Sequence, residues 1–480
     1  METVPADTSE NVQAVVAKGR AAQAGWACLS FRERARVLRR LAARLRSDDE
    51  LVRLISAETG KPAFEALGFE VAYVSEAVRY LGGRRARAAL AADTRSSLSF
   101  PHKCAQVAWR PRGVVAVIGP WNFPLLNNFG DAVAPLLAGN SVVLKPSPHT
   151  PRTSLRVQAF WRELQLPADV FQVVLGGPEV GAELVDACDM VFFTGSLAAG
   201  RKVAARAGER LVPCVAELGG KSAMIVLADA DLHAAARAAV WGAFAGAGQV
   251  CIRVERALVE DRVADQFARL VVGETQKLRV GAGGESDVGP VLLAAQVERY
   301  RRQIDDAVQK GAHLLAGGGL REELPGTCFA PTVMDHVSPE AAVAQEETFG
   351  PILPIVRVAD ADQAVRLTNA SNLGLSGSVW SRDPKTARAV ARRLAAGSVC
   401  INDVLVNYFF VAAPLGAARG AGLGFRHGPE ALRQFCYPQT IVADRPGLGW
   451  LATWIRRQLG FPYRQRVLGV LRWLMKAIYR

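Results

Sequence analysis

A chain of 480 residues exceeds what one hydrophobic core supports, because cores stop growing at roughly 250–300 residues, so two or three domains are expected. Half of the residues are hydrophobic and 21% are charged, which excludes a disordered or collagen-like chain and fits a soluble globular protein. The net charge is +13, yet Arg456, Arg457, Arg464, Arg466, Arg472, Lys476 and Arg480 all lie in residues 446–480 with no acidic neighbour, leaving +6 for the rest. A nucleic-acid binder would carry its basic surplus on a folded domain, so no nucleic acid is expected as a partner.

Met1 to Glu10 holds three acidic residues and no apolar core, unlike a secretory signal. No run approaches the roughly 18 apolar residues of a spanning helix. The eight cysteines are scattered without a C-x-x-C pair, which argues against a metal site or a disulfide framework and for a reducing cytoplasm. Residues 10–90 read as helices, with capping boxes at Ser30–Glu33 and Ser47–Glu50. Residues 97–110 alternate between Ser and Pro boundaries, as a hairpin would.

From Val114 onward, short apolar runs at 114–118, 141–144, 171–175, 190–194 and 212–216 alternate with helical segments at 128–139, 154–165 and 197–209. A second series follows, with strands near 223–227, 255–259, 328–334, 352–357, 376–381 and 398–402. Strands buried on both faces and separated by helices predict an α/β fold of two doubly wound, Rossmann-like parallel sheets. The expected organisation is a first domain of 1–96 and 112–217 and a second of 218–425. Residues 97–111 and 432–445 are set apart as strands of a small β element, and 446–480 as a tail.

Ligands of such sheets sit at the carboxyl ends of the strands. The run 190–194 leads into Thr194-Gly195-Ser196 and a helix bearing Gly200, where small residues let phosphates approach a helix N-terminus. No complete G-x-G-x-x-G occurs, so an ordinary β-α turn is the plainer reading of that segment alone. The run 141–144 ends in Lys145-Pro146-Ser147, whose lysine suits ribose or phosphate but also an edge charge. Pro120-Trp121-Asn122-Phe123-Pro124 fixes a loop that aims Asn122, a suitable oxyanion donor or simply a rigid turn. Glu217-Leu-Gly-Gly-Lys221 sits at the expected domain junction, and a helix over 231–245 runs into Gly246-Ala-Gly-Gln-Val-Cys251. A carboxylate and a thiol so placed suit a general base and a nucleophile, although each residue alone is more often inert.

Together these segments resemble the aldehyde dehydrogenase superfamily over about residues 10–442. The resemblance rests on the order of P-W-N-F-P (120–124), L-K-P-S (144–147), F-T-G-S-x-x-x-G (193–200), E-L-G-G-K (217–221), G-Q-x-C (248–251), E-E-x-F-G-P (346–351) and G-x-V-x-I-N (397–402), with E-T-G-K-P at 58–62. It implies that Cys251 is the nucleophile, Glu217 the general base and Asn122 the oxyanion donor, with the backbone N–H of Cys251. It implies NAD or NADP as cofactor, with Trp121, Lys145 and Ser147 in its site, Lys145 at the adenosine ribose and Gly195, Ser196 and Gly200 around the pyrophosphate. Glu347 would hold the nicotinamide ribose and Phe349 would pack behind the ring. The implied partners are a small-molecule aldehyde and a second copy of the chain, joined as a homodimer through the hairpin and a strand near 436–442.

The chain departs from the family in two places. Pro148 replaces the glutamate that many members use to read the ribose hydroxyls, which predicts that NADP is tolerated. Leu415, Ala417 and Ala421 replace residues of the family's late P-F-G-G segment and its later serine, while Asn402-Asp-Val404 and Phe425-Arg-His-Gly428 look most like the class 3, fatty aldehyde, branch. The apolar run Val404–Val411 suits a medium- or long-chain aldehyde and equally suits ordinary core. The tail carries basic residues at helical spacing among Trp, Leu and Val, as expected of a segment lying on an anionic membrane surface or packed on the protein. A CoA-acylating enzyme would commonly lack Glu217, and an idle scaffold would not need Cys251, Glu217 and Asn122 together.

Overall fold

The computed structural model describes residues 6–283, 285–461, 463 and 465–478, with the backbone alone at 466 and 478. Arg464 and Arg480 of the tail, and Met1–Pro5, lie outside the described residues. The first sheet runs in the order Gly422–Leu423, Cys214–Glu217, Met190–Thr194, Val114–Ile118, Ser141–Lys145, Phe171–Val173. Five of its strands are parallel, and the short Gly422–Leu423 strand closes one edge antiparallel to Cys214–Glu217. The second sheet runs His313–Ala316, Thr332–Asp335, Ile352–Val358, Arg256–Glu260, Ala223–Val226, Ser376–Trp380, Ser398–Ile401. It is parallel except at His313–Ala316. These are the two Rossmann-like sheets of the expected α/β fold, and helices cover both faces of each.

The aliphatic strands form because they are buried along their length. Val114–Ile118 and Ser141–Lys145 are buried at every position, each large aliphatic side chain contributing about 1.5–3 kcal/mol. Met190–Thr194 and Ser141–Lys145 lie on opposite sides of Val114–Ile118, so the chain reverses direction across the sheet there. Such a switch point opens a crevice beyond the carboxyl ends of the strands. The third sheet is small and antiparallel: Asp93–Ser96 pairs with Lys103–Pro111, which pairs with Cys436–Asp444.

Several boundaries move for identifiable reasons. The hairpin expected over 97–110 has its turn at 97–102 instead, where the Lys103 N–H bonds the Phe100 carbonyl and Pro101 can donate nothing. The strand expected from Val212 begins at Cys214, after Pro213, and the one expected from Cys328 begins at Thr332, after Pro331. Ser30 and Glu33 form the expected capping box. Ser47 does not form the second one. Its hydroxyl bonds back to the Arg44 carbonyl, ending the preceding helix, and Asp48 takes the N-cap position of Asp49–Thr59.

The tail forms two helices, Gly449–Leu459 and Gln465–Ile478. No helix among the described residues is long and apolar enough to cross a membrane.

Candidate active site

The cleft at the switch point of the first sheet is lined by Pro120, Trp121, Asn122 and Asn127 from one loop and by Thr194, Gly195 and Ser196 from the next. Glu217, Leu218 and Gly219 close it from the strand that leads into the second sheet. The second half of the chain adds Cys251, Gln296, Arg299, Glu347 and Phe349. Eight of the eleven residues singled out in the sequence therefore meet here: Trp121, Asn122, Gly195, Ser196, Glu217, Cys251, Glu347 and Phe349. Lys145, Ser147 and Gly200 do not line the cleft. Lys145 closes the adjacent strand and its Nζ donates to the Gly176 and Pro146 carbonyls at 2.8 and 3.2 Å. Burial pushes its pKa down to about 8. The Ser147 hydroxyl accepts from the His149 N–H, holding the same turn. Gly200 lies against Leu218, whose side chain stands 2.2 Å from where a Cβ would be, so the glycine serves close packing of helix Leu197–Glu209.

Cys251 follows a sharp backbone reversal. Helix Leu232–Phe244 ends in a turn where Gly246, Ala247 and Gly248 all take the left-handed conformation, with φ of 59°, 55° and 71°. A Cβ on Gly248 would lie 2.3 Å from the Gly350 carbonyl oxygen, so only glycine lets the loop meet the Glu346–Pro351 segment this closely. The Gly246 N–H donates to the buried Glu65 carboxylate, which fastens the turn from the N-terminal region.

Asn122 is fixed from two sides. Its Nδ2 donates to the Gln249 carbonyl at 2.8 Å, and its own carbonyl accepts from the Lys61 Nζ at 2.8 Å. Lys61 in turn pairs with Glu70 at 2.6 Å, and Glu70 accepts the Leu125 and Leu126 N–H groups. The E-T-G-K-P segment thus has a mechanical role, since Glu58 also caps helix Arg152–Glu163 through the Arg152 and Thr153 N–H groups. On the opposite wall, Glu347 accepts from the Gly220 N–H at 2.9 Å, and Gly219 leaves room for its carboxylate. Phe349, held at a φ of 53°, meets the Trp121 ring edge to face at 5.6 Å. Its N–H and that of Thr348 donate to Glu255, a carboxylate buried with Lys221 and Arg253.

Burial dominates the electrostatics. It raises Glu217 and Glu347 to about 7, Arg426 opposing the shift at Glu217. It pushes the Cys251 thiol up to about 12, with Glu217 and Glu347 adding to the rise and Arg426 opposing it. With the thiol at about 12 and the carboxyl at about 7, burial keeps Cys251 protonated at neutral pH while Glu217 is divided between its neutral and ionised forms.

A family model for the aldehyde dehydrogenase family matches residues 1–441. The chain belongs to the aldehyde dehydrogenase family. A Mycobacterium ulcerans relative with the provisional name succinate-semialdehyde dehydrogenase (NADP(+)) 2 is 38% identical over 453 residues, covering 93% of this chain and 86% of its own. A 4,4'-diapolycopene aldehyde oxidase of Methylomonas sp is also 38% identical, over 94% of this chain and 84% of its own. The crystal structure of an NAD-dependent aldehyde dehydrogenase from Sinorhizobium meliloti superposes with a TM-score of 0.87 at 34% identity, over 92% of this chain and 88% of that one. These names do not mention the class 3 branch.

This aldehyde dehydrogenase is accordingly an NAD(P)-dependent oxidoreductase acting on an aldehyde. Several groups around its cleft carry no signature in the sequence. Arg299 and Gln296 line it from helix Gln296–Gln309, and their only signal was an ordinary polar helix face. Asp131 and Arg426, buried together beneath Glu217, gave no local sign of pairing.

Proposed function

We propose that this enzyme oxidises a neutral, apolar aldehyde to its carboxylic acid through a thioester on Cys251, with Glu217 as the general base. The observation that carries this reading is that Cys251 lines two clefts at once. One is the polar cleft of the strand ends, and the other is apolar, lined by Phe69, Phe123, Leu126, Leu405, Tyr408 and Phe409. A single sulfur at the junction is where a carbonyl carbon from one side would meet a dinucleotide from the other.

The residues fit NAD(P). Gly195 and Gly219 keep the floor open, helix Leu197–Glu209 presents its N-terminus at Ser196, and the Glu347 carboxylate stands in the cleft. Trp121, Gly195 and Ser196 would hold the adenosine and phosphate end from the cleft wall, with Lys145 and Ser147 reaching it from the neighbouring turn and Gly200 acting by keeping the helix close, and Glu347 and Phe349 would hold the nicotinamide end. When bound, the dinucleotide supplies the hydride acceptor. The chain's own part begins as the Cys251 thiol releases its proton to solvent and the thiolate sulfur bonds to the aldehyde carbon while the carbonyl pair moves onto oxygen. Asn122 has a second N–H beyond the one given to Gln249, and with the Cys251 backbone N–H it would stabilise that oxygen. At the thioester stage Glu217 takes a proton from water, the hydroxide adds to the acyl carbon, the carbon–sulfur bond breaks, and the departing thiolate takes the proton from Glu217 to return the thiol and the carboxylate. Glu217 speaks against capture of the acyl group by CoA.

The lining of the apolar cleft supports the substrate class. None of its residues carries a positive charge, and the nearby cations are already paired, Lys61 with Glu70 and Arg426 with Asp131. A carboxylate such as that of succinate semialdehyde, the substrate in the mycobacterial relative's name, would be desolvated there without a counter-charge. The run Val404–Val411 divides its duty: Val404 and Val411 are core, whereas Leu405, Tyr408 and Phe409 face the cleft. Aldehydes of two to sixteen carbons and succinate semialdehyde, each with NAD and NADP, are the test, read as absorbance of the reduced nicotinamide. The expected kcat/KM rises with chain length, with NADP accepted because Pro148 presents no carboxylate. A maximum at two or three carbons, or at the semialdehyde, would overturn the substrate reading.

Two surfaces bear on assembly. Strand Cys436–Asp444 is an edge of the third sheet and exposes Ile441 and Val442, which suits pairing with a second copy as a homodimer. The tail helices expose Trp450, Trp454, Trp473 and Met475 alongside arginine and lysine without any acidic residue, which suits the inner, anionic face of a membrane.

A further inference from the structure

Arg426 sits in the short strand Phe425–Arg426, and it is fully enclosed between two acids that the mechanism above only half uses. Its Nη1 lies 3.2 Å from Asp131 Oδ1 and its Nε 3.8 Å from Glu217 Oε1. The remaining donors are spent on neutral groups: Nη1 on Asn127 Oδ1 at 2.9 Å and on the Tyr408 hydroxyl, Nη2 on Thr194 Oγ1 at 3.1 Å. Thr194 Oγ1 also bonds Asp131 Oδ2 at 3.3 Å, so Asp131 is tied in place. Glu217 is not. Its Oε1 and the Arg426 Nε are both buried without a hydrogen-bond partner, and they face one another. A separation of 3.8 Å is too long for a hydrogen bond but short enough for strong Coulomb attraction in a dry interior.

We propose that Arg426 is a positioning residue for the general base. Its one positive charge is divided between Asp131 and Glu217, and that division sets how readily Glu217 ionises while leaving its carboxylate untied and able to turn toward water. The charged and titratable groups around Arg426 come from separate elements. Asp131 comes from helix Phe129–Ala138, Glu217 from its strand, Tyr408 and Tyr73 from flanking helices, and Cys251 from its loop. His427 is held neutral by burial and by Arg426, and its Nε2 bonds the Tyr73 hydroxyl at 2.5 Å. Asp131 and Glu217 are the two carboxyls among these groups, and each is raised by burial to about 7 with Arg426 opposing the rise. Asp131 therefore competes with Glu217 for the same cation.

This competition gives two substitutions of opposite sign, and the inference rests on Glu217 being the base. The measurement is hydrolysis of p-nitrophenyl acetate, which needs thiol and base but no dinucleotide, followed as the steady-state rate against pH after the initial nitrophenolate burst. Arg426→Met should move the acid limb of that rate upward by about one pH unit or more, a tenfold or greater loss below it. Asp131→Asn, nearly isosteric, should move the limb downward, because Glu217 then has the cation to itself. Arg426→Lys keeps the charge and should leave the limb near its wild-type place. A merely structural role for Arg426 would lower activity without moving the limb in opposite directions. Glu217→Gln, run in parallel, separates the two readings. If it keeps the wild-type limb, Glu217 is not the base and both readings fall. If it loses the limb while Asp131→Asn and Arg426→Met leave it unmoved or shift it the same way, the inference about Arg426 alone is overturned.

Discussion

Cys251 and Glu217 carry their chemistry through burial, which works against charge on both. Each carboxyl or thiol removed from water favours its neutral form, so Glu217 rises to about 7 and the Cys251 thiol to about 12. The sign for activity follows directly. A base must be ionised to accept a proton, so thioester hydrolysis should rise with pH through about 7 and fall tenfold for each unit below it. Alkylation of Cys251 by iodoacetamide, in enzyme free of dinucleotide, should be slow at neutral pH and rise tenfold per pH unit well beyond 9. Cys251→Ala should abolish turnover, whereas Glu217→Gln should leave a pre-steady-state burst of reduced nicotinamide and slow the following steps by ~10²–10⁴. A Glu217→Gln enzyme turning over at the wild-type rate would remove that residue from the mechanism.

At the scale of elements, the site is built from loops fastened by buried charges. Lys61, Glu65 and Glu70, all from the N-terminal helical region, hold the Asn122 loop and the turn before Cys251. Glu255 does the same for the segment bearing Glu347 and Phe349. Gly248 meets Gly350 backbone on backbone, where no flexible side chain can yield. Gly248→Ala should destabilise the protein by about 1–3 kcal/mol, from left-handed strain and overpacking. It should also cut kcat more than tenfold by displacing Cys251. Gly208→Ala is the control: it lies in helix Leu197–Glu209 with nothing within 4 Å of the added carbon. Thermal unfolding should show that change neutral or stabilising, and equal effects of the two would contradict a special role for the junction.

At the scale of the whole molecule, the proposed assembly surfaces lie at the C-terminal end. Helix Gly449–Leu459 is anchored by buried Ala452 and by Arg456 pairing with Asp444 at 3.3 Å, whereas the described side chains of Gln465–Ile478 are exposed or half-exposed. Comparing the full chain with one ending at Asp444 tests both parts of the assembly reading. The full chain should float with vesicles containing anionic lipid, release at high salt, and ignore zwitterionic ones, while the shortened chain should not float. Both should remain dimers by light scattering, because the pairing strand is retained. Equal flotation of the two would end the membrane reading, and dissociation of the shortened chain would show that the tail packs on a second copy instead.

Much of this was legible in the sequence because it is local. Apolar runs broken by helices give parallel strands, proline sets where they begin, and strand ends make Asn122, Gly195 and Glu217 candidates, whereas the choice of Cys251 among eight cysteines rests on the resemblance of the ordered segments to the family. The misread cap at Ser47 shows the limit even locally, since one hydroxyl can serve the end of one helix or the start of the next. What only the tertiary structure decided is long-range. Arg426 and Asn127 touch across 299 residues, and in the sequence Arg426 is one basic residue among many. Its partners follow from which strand closes the edge of the first sheet, and a charge acquires its effect on a neighbour only once folding has removed the water between them.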